Sequence, residues 1–159
     1  MKKILFYICT FVFVSCTVDS KKLGSDSANY NTCLTETNVS DDVMLTVHDI
    51  THDRYKSESE EKLNKNGCVM QCLLQKAGLM EDAEYKVEKM HSEFIKKTGV
   101  QPGDQRLECL DTCINESKDL TEKCVKAFNL SACVIKFEHR HKHENDHEHD
   151  HEHENESAK

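Results

Sequence analysis

The stretch that decides the fold is Asn66-Gly67-Cys68-Val69-Met70-Gln71-Cys72-Leu73-Leu74. Cys68 and Cys72 stand one helical turn apart, so on a helix both thiols project from the same side. A bridge between them inside that helix is geometrically poor, so they are expected to clamp two different neighbours. Val69, Cys72 and Leu73 recur at i, i+3 and i+4, the period of a helix with one apolar face, and Gly78 ends it. The segment therefore reads as a helix pinned covalently to two other elements.

Working outward, the chain looks helical from residue 28 to residue 137. It shows no sustained two-residue alternation, and its β-branched residues are thinly spread. On the N-terminal side, Ser40-Asp41-Asp42 is a helix-start signal for the run Val43 to Val47, and the polar residues 51–62 read as a solvated connection. On the C-terminal side, Asp82 is expected to start a helix whose apolar stripe is Val87, Met90, Phe94 and Ile95. Thr98 to Gly103 stops it, and Asp104 caps another carrying Leu107, Leu110, Cys113 and Ile114. Thr121 reads as the next N-cap, with Leu120 and Val125 as a hydrophobic staple across it. From Cys124 to Phe137 the chain is apolar on several faces, which places that helix in the middle of a bundle. The fold class is all-α, a compact bundle of about six helices.

The two ends differ from this middle. Lys2 and Lys3 precede an almost unbroken apolar run from Ile4 to Val14, and Ser15-Cys16 supplies small residues before Thr17-Val18-Asp19 turns polar. That layout predicts a secretory signal peptide over residues 1–16, cleaved after Cys16, with Ser15 and Ser20 as alternative cleavage points. A rival reading takes Phe13-Val14-Ser15-Cys16 as a bacterial lipoprotein box with Cys16 as its anchor. The remainder of the chain argues instead for a eukaryotic secreted protein. Residues 17–27 are polar and read as a loose N-terminal segment, and residues 28–137 as the folded domain. Residues 138–159 hold seven His, eight acids and only Ala158 as an apolar residue, so they read as a disordered tail.

Composition narrows the function classes. The 159 residues carry a formal charge of -8, which argues against phosphate contacts and hence against a nucleic-acid binder. No stretch reaches the roughly 18–20 apolar residues of a membrane span. Five scattered glycines form neither a Walker loop nor a dinucleotide fingerprint. No HExxH occurs before the histidine-rich tail, and no set of nucleophile, base and orienting group stands out, so an enzyme is not expected. His48 and His52 at i and i+4 resemble half of a metal site, but no third ligand is evident nearby; a solvated pair is the plainer reading. His91 reads as surface or pocket rim.

Cleavage after Cys16 leaves seven of the nine cysteines: Cys33, Cys68, Cys72, Cys109, Cys113, Cys124 and Cys133. Their spacings do not match paired zinc knuckles, and in a secreted chain they read as a disulfide framework with one thiol left over. The series Cys33, Cys68-x3-Cys72, Cys113, Cys124-x8-Cys133 resembles the six-cysteine signature of insect odorant-binding proteins. The Asn66–Leu74 stretch, together with Gln101-Pro102-Gly103-Asp104-Gln105-Arg106, is similar to the pheromone-binding proteins of ants. The resemblance covers residues 28–137. It implies six helices around a closed apolar cavity, with interlocked bridges Cys33–Cys72, Cys68–Cys124 and Cys113–Cys133. By spacing alone either Cys109 or Cys113 could meet Cys133; the resemblance selects Cys113. The 34 residues between Cys33 and Cys68, the extra Cys109 and the histidine tail depart from the family pattern.

A bundle stapled in this way tolerates an internal hollow, and an apolar hollow binds apolar molecules by removing their surface from water. The expected function is a secreted carrier that solubilises small hydrophobic odorants or pheromones, with a chemosensory receptor as a downstream partner. The candidate lining is Met44, Val47, Leu73, Leu74, Met80, Val87, Met90, Phe94, Leu110, Ile114, Phe128 and Val134; ordinary core packing is the alternative for each. No cofactor is required. The tail carries a second reading, because His139, His141, His143, His147, His149, His151 and His153 alternate with acids and could gather Zn, Cu or Ni opportunistically. That would make the chain a secreted metal-binding protein. Its plainer counterpart is a polyampholytic solubilising tail. Cys109 is either a buried free thiol or the joint of a covalent homodimer.

Overall fold

The structure is a computed structural model that describes the backbone of residues 20–152 and the side chains of residues 20–141. The expected signal peptide therefore lies outside the described residues. Among the described residues six α-helices follow one another: α1 Tyr30–Thr37, α2 Val47–Thr51, α3 Glu60–Lys76, α4 Val87–Thr98, α5 Gln105–Ser117 and α6 Lys123–Glu152. Two 3₁₀ turns, Asp41–Val43 and Arg54–Ser57, flank α2, and a small hairpin joins α3 to α4. Its strands, β1 Met80–Glu81 and β2 Glu84–Tyr85, run antiparallel with Met80 opposite Tyr85 and Glu81 opposite Glu84. The architecture is the all-α bundle that the sequence implies.

The long pair α3 and α6 forms the spine. At Gly67 a Cβ would lie 2.2 Å from the Cys124 carbonyl oxygen, so only glycine allows this approach. The bridge Cys68–Cys124 locks the contact with Cα atoms 4.4 Å apart. Cys72 reaches the other way to Cys33 on α1, and Cys133 on α6 joins Cys113 on α5. The two cysteines of the Cys68-x3-Cys72 pair thus clamp different helices. Asn66 is fully buried beside them. Its Oδ1 accepts from the Leu45 amide at 2.8 Å, and its Nδ2 donates to the Val43 and Lys62 carbonyls at 3.1 and 2.9 Å.

Several expected boundaries move. Val43 to Val47 does not form one helix: a 3₁₀ turn comes first, and α2 starts only after Thr46, whose hydroxyl accepts from the Asp49 amide in a capping box. Residues 51–62 are not merely a solvated connection. Tyr55 packs edge-on against Phe128 at 5.6 Å, which ties the second 3₁₀ turn to α6. Asp82 starts no helix; it takes a left-handed φ of 51° in the hairpin turn, a conformation that Asp tolerates better than most residues. α6 begins at Lys123 rather than after Thr121, and Val125 is exposed, so the staple does not form.

Both ends also differ from expectation. Leu23 is fully buried, its amide donates to the Leu45 carbonyl at 2.8 Å, and Lys22 bridges Thr46, so residues 21–24 are stitched to the body rather than loose. The sequence hides this because a single leucine among polar residues gives no periodicity. At the other end α6 continues past Phe137 to Glu152. No Gly or Pro follows Gly103 in the chain, so nothing in the sequence breaks the helix there.

Buried apolar side chains fall into two clusters. One gathers Leu23, Leu34, Met44, Leu45, Ile50, Val69, Leu73 and Phe128 among α1, α2, α3 and α6. The other gathers Met90, Leu110, Ile114 and Leu130 among α4, α5 and α6, with Leu74, Leu79, Phe94 and Val134 against it.

Candidate functional site

A pocket of about 300 Å³ opens along the seam between the two clusters. Its walls come from five places. Met70 and Leu74, one turn apart, face it from α3, and Leu79 follows after the left-handed Gly78. Met90, Glu93, Phe94 and Lys97 recur at i, i+3, i+4 and i+7, so they form one face of α4. Leu110 comes from α5, and Leu130, Ser131, Val134 and Ile135 come from α6. Leu23 and Gly24 close the end nearest the N-terminus. The lining is apolar apart from Ser131 and the Glu93–Lys97 pair. It has an open mouth, where the resemblance implied a closed cavity.

α4 forms the outer wall. His91 lies half-buried at the surface and outside the pocket lining, where its Nε2 meets Asp111 Oδ1 on α5 at 2.6 Å and ties α4 to α5. At the base of α5, Tyr85 stands against Ser117 at 2.8 Å and donates to the Lys126 carbonyl at 3.0 Å. Burial raises the Tyr85 pKa above its ordinary value, so its hydroxyl keeps its proton.

Of the twelve residues expected to line a pocket, the structure brings Leu74, Met90, Phe94, Leu110 and Val134 to this one. Met44, Leu73 and Phe128 instead pack inside the first cluster, and Ile114 inside the second. Met80 is buried in the hairpin, Val47 is half-buried at the start of α2, and Val87 is exposed. Helix periodicity identifies which side chains turn inward but not which of two adjacent cores receives them. Met70, Leu79, Leu130 and Ile135 were missing from the expected lining. The i, i+4 pairs Met70–Leu74 and Leu130–Val134 were the available signal.

A second cavity of about 340 Å³ is mixed, with Glu116, Lys136 and Arg140 in its wall beside Tyr55, Ala132, Phe137, Cys109 and the Cys113–Cys133 bridge. It offers a hydrophobic ligand less apolar surface than the seam pocket. Cys109 is half-buried and unbridged, and burial pushes its thiol pKa up, which lowers its reactivity.

The histidines do not assemble a metal centre in the described part of the chain. His48 and His52 stack at 4.0 Å, and His139 approaches His52 edge-on at 6.1 Å. Among the described residues no group of three or more His, Cys, Asp or Glu side chains is arranged to hold an ion. His141 lies near Phe137 on α6, whereas the side chains of His143, His147, His149, His151 and His153 fall outside the described residues.

Residues 19–137 match the PBP/GOBP family. The chain belongs to the PBP/GOBP family. Curated relatives agree. The pheromone-binding protein Gp-9 of Solenopsis nigella gensterblumi is 48% identical over 143 residues, covering 87% of this chain and 94% of its own. That of Solenopsis globularia littoralis is 51% identical over 140 residues, 85% and 90% of the two chains, and that of Solenopsis richteri 46% over 136 residues, 84% and 89%. No solved structure gives a significant match. For this PBP/GOBP member the match takes in all six bridged cysteines and the whole described pocket, and it stops where the histidine-rich segment begins.

Proposed function

We propose that this PBP/GOBP protein is a secreted carrier that binds and solubilises small hydrophobic odorants or pheromones in the seam pocket. The observation that carries the reading is the apolar lining of a 300 Å³ hollow within a covalently stapled helical frame. Each 100 Å² of ligand apolar surface removed from water contributes roughly 2.5 kcal/mol, which needs no catalytic group. Met70 and Met90 supply unbranched, polarisable side chains that can follow the ligand's shape. The names of the relatives support pheromones as one ligand class, and binding rather than catalysis as the role.

Fluorescence titration with N-phenyl-1-naphthylamine tests this on the full chain with its bridges intact. Saturable binding, displaced by medium-chain hydrophobic compounds and weakened by Val134→Trp, is expected. Binding that neither saturates nor yields to a competitor would remove the carrier function.

A further inference from the structure

We propose that the ligand of this pocket is a small neutral molecule ending in a hydroxyl, which Glu93 and Lys97 hold at the mouth. This inference rests on the carrier reading and specifies its ligand. Glu93 and Lys97 stand at i and i+4 on the face of α4 that forms the pocket wall. Oppositely charged residues at this spacing commonly pair, yet the side chains of these two make neither an ion pair nor a hydrogen bond among the described residues. An acceptor and a donor thus flank an otherwise apolar opening.

The chemistry of the pair discriminates between headgroups. A carboxylate gains from Lys97 but meets the like charge of Glu93, and an amine meets the reverse. An aldehyde or ester accepts from Lys97 and gives Glu93 nothing. A hydroxyl donates once and accepts twice, so it serves both residues. Deeper in the wall, Ser131 is only 8% exposed and donates its proton to the Ala127 carbonyl at 2.8 Å. Its remaining capacity is to accept, so it offers a carbonyl-ended ligand no second donor. Size follows from volume. A methylene-sized group occupies on the order of the ~30 Å³ that water takes in the liquid, so about 300 Å³ holds roughly ten such groups.

Competition against N-phenyl-1-naphthylamine on the full, disulfide-intact chain tests this with four probes of one chain length: 1-decanol, decanal, decanoate and decylamine, at neutral pH and fixed salt. Decanol should displace the dye at about two- to tenfold lower concentration than each of the others, the worth of one net hydrogen bond. In the Glu93→Met/Lys97→Met double variant that gap should close. Decanal, decanoate or decylamine matching decanol, or a preference that survives the double substitution, overturns the assignment. A chain that does not bind the dye at all overturns the carrier reading instead, so the two failures are distinct.

Discussion

At the scale of the residue, Asn66 shows how one buried polar side chain organises its surroundings. It is 0% exposed and satisfies an amide and two carbonyls, two of them in the linker between α1 and α2. Replacing it with Ala strands the Leu45 N–H and the Val43 carbonyl in the core. Asn66→Ala is expected to lower unfolding free energy by roughly 2–4 kcal/mol; urea denaturation should show this as a lower midpoint at unchanged slope. A midpoint equal to that of the parent chain would mean that the linker is held by other contacts. Tyr30 illustrates the same economy. Burial, then its 2.8 Å bond to Asp41 and that residue's charge, push its pKa well above the ordinary tyrosine range.

At the scale of the element, α3 was legible because its thiols, its apolar period and its closing glycine all agree. Gly67 is the test of that helix. A methyl group there meets the Cys124 backbone at 2.2 Å, so Gly67→Ala must push α3 from α6 and strain the Cys68–Cys124 closure. Thermal unfolding should report a loss of about 1–3 kcal/mol or more, and parent-like stability would contradict the packing described. The hairpin and the start of α2 were not legible, because a left-handed Asp82 and a capping box one residue before a five-residue helix leave no periodic trace. That box also predicts a pH response. Burial raises the Asp49 pKa, but the Thr46 hydroxyl and amide, with the nearby His48 and Lys62 charges, outweigh it and hold the carboxyl below its usual value. A depressed folded-state pKa gives stability that is present above the unfolded value and lost as pH falls through the folded one. Asp49→Asn should therefore be less stable than the parent at pH 6, and the difference should shrink below about pH 4. A difference that stays constant with pH would rule out the carboxylate as its source.

At the scale of the whole molecule, three bridges closing 20, 39 and 56 residues each contribute roughly 3–4 kcal/mol by chain-entropy arguments. That covalent frame lets the protein keep two apolar clusters apart with a hollow between them instead of one filled core. The frame could be read from cysteine spacing together with a family resemblance. The hollow could be read only in part, because its position depends on how two clusters meet and on Leu23, which no local pattern marks as buried. Methionine methyl NMR tests the pocket most directly, since the chain places Met70 and Met90 in the seam and Met44 and Met80 in solid packing. On titration with a medium-chain hydrophobic ligand, the methyl signals of Met70 and Met90 should shift saturably while those of Met44 and Met80 hold still; shifts confined to Met44 and Met80, or none at all, would contradict the account.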